Sequence, residues 1–93
     1  MEDFEYVEDK RQIKSIVLHN TCFCCPEQYD AYLNGIRVGY LRLRHGRFTV
    51  ECPDTGGDLV YSGYPKGDGR FDPDEREFFL NEAVDCIEKW VKQ

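Results

Sequence analysis

The chain has 93 residues, 41% of them hydrophobic and 14% aromatic, with a formal charge of −6 at neutral pH. That length supports one modest core, and that composition excludes a disordered chain. No apolar run approaches the roughly 20 residues needed to cross a membrane, and a uniformly acidic surface disfavours direct binding to nucleic acid or membrane phosphates.

The opening MEDFEYVEDK is acidic and follows neither a helical nor a strand period. Residues 1–12 are expected to form a tail or an arm, and residues 13–93 a single domain. The start lacks the basic, then apolar, then small-residue order of a secretion signal, so a cytoplasmic location is expected. Five cysteines, Cys22, Cys24, Cys25, Cys52 and Cys86, are an odd number. They suggest a reducing compartment rather than a disulfide framework.

IKSIVLHN (13–20) is rich in β-formers and reads as one strand, with TCFCCPE as the connection that follows. QYDAYL then alternates Tyr29, Ala31 and Leu33 against Asp30 and Tyr32. Asn34-Gly35 is a strong hairpin signal. IRVGYLRLR and RFTVEC are the next two strands, joined at His45-Gly46.

The register of these strands follows from the apolar pattern. Around His45-Gly46, Leu43 faces Phe48 and Leu41 faces Val50. Around Asn34-Gly35, Leu33 faces Ile36 and Ala31 faces Val38. Val38 and Leu41 are an odd number of residues apart, so a regular strand would point them to opposite sides. One extra residue at Gly39-Tyr40 would repair the phase and bring Tyr29 opposite Leu41. The outer face then carries Tyr32, Arg37, Tyr40, Arg42, Arg44, Arg47, Thr49 and Glu51.

PDTGGD (53–58) reads as a loop, LVYSGY (59–64) as a strand and PKGDGRF (65–71) as a long polar turn. A helix is expected over 73–91. Asp72 can cap it, Pro73 suits its first position and Glu75 completes a capping box. Phe79, Leu80, Ala83, Val84, Ile87, Trp90 and Val91 share one stripe of that helix. The expected fold is α+β: an antiparallel meander of four to five strands, covered on one face by a single C-terminal helix.

Two clusters carry chemistry. On the outer face, Arg44 and Arg47 should be direct cross-strand neighbours, an arrangement that repels. Guanidinium forks match phosphate and carboxylate bidentately, and tyrosines offer stacking surfaces. A nucleotide could stack on Tyr40 or Tyr32 while Arg42 and Arg44 hold its phosphates. The candidate binding residues are therefore Tyr32, Arg37, Tyr40, Arg42, Arg44 and Arg47. The plainer reading is a solvated face on which Thr49 and Glu51 balance Arg42.

The second cluster is cysteine-rich. Cys22, Cys24, Cys25 and, across the sheet, Cys52 could approach one another beside His19. A structural zinc site usually has two separated pairs, whereas Cys52 is alone, so unreacted buried thiols are the simpler expectation. His19 and His45 are the only histidines, and no nucleophile motif surrounds a serine or cysteine. GDGRFDPDE fits neither a calcium loop nor a phosphate loop. A non-enzymatic protein without a cofactor is expected.

The stretch CPEQYDAYLNGIRVGYLRLRHGRFTVECPD, with GDGRFDPDERE and the closing helix, resembles small uncharacterised proteins of bacteria, phages and prophages. The hairpin NGIRVGYLRLR is also similar to the central strands of GNAT-type acetyltransferases. That family's pyrophosphate-binding turn before a helix has no counterpart here, so acetyl transfer is not implied. The phage-type resemblance implies a small inhibitor of a host defence system. It would act stoichiometrically, sequestering a nucleotide-type signal or blocking a host protein effector. The alternative is a zinc-stabilised or catalytic small domain using the Cys22–Cys25 region. An exposed edge strand could also support a homo-oligomer.

Overall fold

Three tight turns fold the first half of the chain back on itself. In each, the first turn residue has a positive φ: 55° at Lys14, 52° at Asn34 and 54° at His45. Asn34 and His45 are each followed by a glycine that also has positive φ, the backbone pairing that matches the twist of a hairpin. A computed structural model describes residues 10–93. The strands are β1 (Lys10–Ile13), β2 (Ile16–Cys22), β3 (Glu27–Leu33), β4 (Ile36–Arg44), β5 (Arg47–Cys52) and β6 (Asp58–Gly63). They pair antiparallel in chain order, and α1 (Pro73–Val91) follows.

The α+β meander with one C-terminal helix is as expected, but it has six strands rather than four or five. The left-handed Lys14 splits IKSIVLHN into the end of β1 and most of β2, so that Ile13 pairs with Ile16 and Lys10 with His19. Lys10, Arg11 and Gln12 therefore belong to a strand, not to the tail. Residues 1–9 of the expected tail lie outside the described residues. No glycine or asparagine marks this turn, so local sequence does not announce it.

The stripe of α1 packs on the inner face of the sheet. Leu80, Ala83, Val84 and Ile87 are fully buried against Leu18, Ala31, Leu41, Leu43, Phe48 and Val50. Cys52 is also fully buried in this core. One extra residue does restore the phase of β4, with Tyr29 opposite Leu41 as expected. However, it lies one position earlier than Gly39-Tyr40. Tyr32 pairs with Arg37 and Ala31 with Gly39, which leaves Val38 as the unpaired residue. Val38 and Gly39 are both buried. A Cβ at Gly39 would come within 2.9 Å of Ile87 Cδ1, so this glycine serves close helix approach rather than the bulge itself.

The 65–71 segment is more than a polar turn. Phe71 is 2% exposed, with its ring 5.0 Å from that of Phe48 and 5.6 Å from that of Phe79. Its backbone N–H donates to Glu27 Oε1 at 2.9 Å. Glu75 accepts from the backbone N–H groups of Lys66 and Gly67 as well as from that of Asp72. The residue expected to close the helix cap thus also organises the incoming loop. On the opposite edge, β1 and its turn are tied to α1 by Arg11–Glu77 and Lys14–Asp85 ion pairs. Among the described residues, no helix is long and apolar enough to cross a membrane.

Candidate anion-binding face

Alternation along β4 and β5 decides which way the arginines point. Leu41, Leu43, Phe48 and Val50 are buried under the helix. Arg42, Arg44 and Arg47 fall between them and project from the opposite, uncovered face. The ladder pairs Leu43 with Phe48, Arg42 with Thr49 and Arg44 with Arg47. Those pairings match the expected register.

The three arginines border one shallow depression of about 580 Å³, completed by His45, Thr49 and Tyr64. Arg47 Nε donates to Ser62 Oγ at 3.0 Å. Among the described residues, none of the three guanidinium groups has a carboxylate within ion-pair distance. Glu51, expected to balance Arg42, pairs instead with Tyr40 in the ladder, and its Oε1 accepts the Gly56 N–H at 3.1 Å. Its charge is drawn toward the 53–57 loop.

The other predicted site residues share the face but not the depression. Arg37 donates to Asp30 at 2.6 Å and to Asp54 at 2.7 Å, and its guanidinium lies 5.9 Å from the centre of the Tyr32 ring. The hydrogen bond it donates to Asp54 raises its pKa further, and with Asp30 beside it its charge is already balanced. Tyr40 OH donates to Gln28 Oε1 at 3.0 Å. The aromatic that does border the depression is Tyr64, 77% exposed. In the sequence it is only the last residue of the expected strand LVYSGY (59–64). Parity could have found it: Ser62 pairs with Thr49 on the outer face, and Tyr64 is two residues further on.

The cysteines do not assemble. Cys24 and Cys25 are both exposed, which corrects the expectation of buried thiols at these positions. Cys22 Sγ donates to the Cys24 carbonyl at 3.3 Å. Cys52 sits in the core on β5 and joins none of them. No group of three or more His, Cys, Asp or Glu among the described residues is placed to hold a metal ion.

The molecule thus presents a six-stranded sheet with one helix-covered face and one open face bearing a basic depression. No protein family, curated protein or solved structure matches the chain.

Proposed function

We propose that this is a non-enzymatic binding protein that takes up a small phosphate-bearing ligand, of nucleotide type, on the open face of its sheet. Arg42, Arg44 and Arg47 would grip the phosphates and Tyr64 would stack on the base. One observation carries the reading: three guanidinium groups border one depression with no carboxylate in ion-pair range among the described residues. Two of them stand directly opposed. A bound anion would relieve that repulsion.

The formal charge of −6 favours a compact anion over a nucleic acid, whose extended charge would meet the acidic remainder of the surface. Sequestering such a signal stoichiometrically, as the phage-type resemblance implies, asks of the site only charge and a stacking surface. Blocking a nucleic-acid-binding host effector through the acidic tail and helix face has less support on the helix side, because Glu77 and Asp85 already pair with Arg11 and Lys14; residues 1–9 of the tail lie outside the described residues.

Calorimetric titration with ADP, ATP and a cyclic dinucleotide tests the proposal. Saturable binding should vanish in the Arg42→Ala, Arg44→Ala double variant while its circular dichroism and melting stay cooperative. Unchanged affinity in that variant would reject the site.

A further inference from the structure

A smaller cavity, of about 220 Å³, lies in the corner between the β1–β2 end of the sheet and the start of α1. Its wall includes Arg11, Asn20, Phe23, Glu27, Arg70 and Arg76. Three guanidinium groups therefore meet one carboxylate.

That carboxylate is fully used. Glu27 Oε1 accepts from the Phe71 N–H and from Arg76 Nη2, and Oε2 accepts from Tyr29 OH and Arg76 Nε. Glu27 and Arg76 thus neutralise each other, and Arg11 is paired with Glu77 through Nη1. Arg70, which is exposed, forms no ion pair among the described residues. Among the described residues, the wall retains one uncompensated positive charge, together with the unused Nη1 of Arg76. Beside them stands Phe23, a large aromatic left 63% exposed on the loop after β2. Asn20 is fixed by donating Nδ2 to the Cys22 and Gln28 carbonyls, so this part of the wall is preformed.

We infer that this cavity binds a small apolar or aromatic monocarboxylate. The carboxylate would lie on Arg70 and Arg76 Nη1, and the apolar part against Phe23. Volume sets the size class. The cavity equals roughly seven water volumes and falls below the about 300 Å³ at which pockets for drug-sized ligands begin. An arylacetate is of the right order. A single net positive charge favours a monoanion over a phosphate dianion. The site is separate from the open face and does not depend on the reading given for it.

Phenylacetate is a suitable probe, followed by amide NMR of the full chain. Saturable shift changes are expected at Asn20, Phe23 and Arg70. The neutral isostere phenylacetamide should bind at least tenfold more weakly. Arg70→Ala, at an exposed position, should weaken phenylacetate at least tenfold, and Phe23→Ser should weaken it as well. Arg44→Ala should leave it unchanged. Equal binding of the amide, indifference to Arg70→Ala, shifts confined to residues 42–47, or no shifts at millimolar ligand would each overturn the proposal.

Discussion

Arg44 and Arg47 stand directly opposite each other across the β4–β5 ladder, on the face the helix leaves open. Like charges in that position destabilise a sheet by roughly 0.2–1 kcal/mol. If the proposed anion site is real, stability and ligand binding oppose each other at this pair. Arg44→Thr is therefore expected to raise the melting temperature of the free protein by a few degrees while weakening nucleotide binding. Added salt should stabilise the parent protein more than the variant, because screening relieves the same repulsion. Thermal melts at two ionic strengths check both statements, and a variant that melts lower at both would remove the repulsion from the account.

Gly39 of the sheet lies hard against Ile87 of the helix. A Cβ at residue 39 would lie 2.9 Å from Ile87 Cδ1 and 3.3 Å from Cγ1. Gly39→Ala should cost about 1–3 kcal/mol, the range for overpacking. Ile87→Val deletes the offending Cδ1. In a denaturant-unfolding cycle the alanine should cost less on the Val background, giving a coupling of about 0.5 kcal/mol or more. Strict additivity would mean that the helix shifts as a body instead of meeting the new methyl.

The two central hairpins and the helix were legible because each carries its own punctuation. Asn34-Gly35 and His45-Gly46 fixed two turns, Asp72-Pro73 with Glu75 fixed the helix start, and the alternation of Leu41, Leu43, Phe48 and Val50 fixed the faces. The Lys14 turn was not legible, since only tertiary pairing of β1 explains a lysine at φ 55°. The bulge falls at Val38, and the glycine that pointed to it, Gly39, is used instead for close approach to Ile87, a fact about helix docking. Within the open face, parity placed every arginine correctly but could not say which were already paired. Arg37 is neutralised by Asp54, which lies on a loop 17 residues away. The second cavity was invisible for the same reason, since Phe23, Glu27 and Arg70 meet only after folding.

Cys52 separates buried from reactive thiols. It has no exposed surface, and burial pushes its pKa up to about 11. Its thiolate fraction is small and access is closed, so alkylation should be slow. With iodoacetamide under mildly alkaline native conditions, peptide mass spectrometry should find Cys52 unmodified. Full modification is expected once the protein is denatured. Rapid native labelling of Cys52 would show that β5 opens locally.

The contact between Glu27 and Arg76 governs the acid limit of the fold. Glu27 is 2% exposed, and burial alone would favour its neutral form. Hydrogen bonds from Arg76, Tyr29 and the Phe71 N–H outweigh that effect and hold its pKa below the ordinary 4.5. Glu75 is shifted the same way: burial again opposes ionisation, and the three backbone N–H groups of Lys66, Gly67 and Asp72 overcome it. A carboxyl whose pKa is lowered by folding contributes stability that is complete above its unfolded value and is lost as pH falls through its folded value. Unfolding free energy should therefore hold steady above about pH 4.5 and decline below it. Glu27→Gln should cost about 3 kcal/mol at neutral pH. This is the lower end of the range for breaking a buried pair, since a fifth of the Arg76 side chain remains exposed. The same variant should flatten the acid decline, because its strongest titrating contact is gone. Urea denaturation across this pH range measures both effects. A variant with normal stability at neutral pH, or with the same acid slope as the parent, would show that the fold does not rest on this pair.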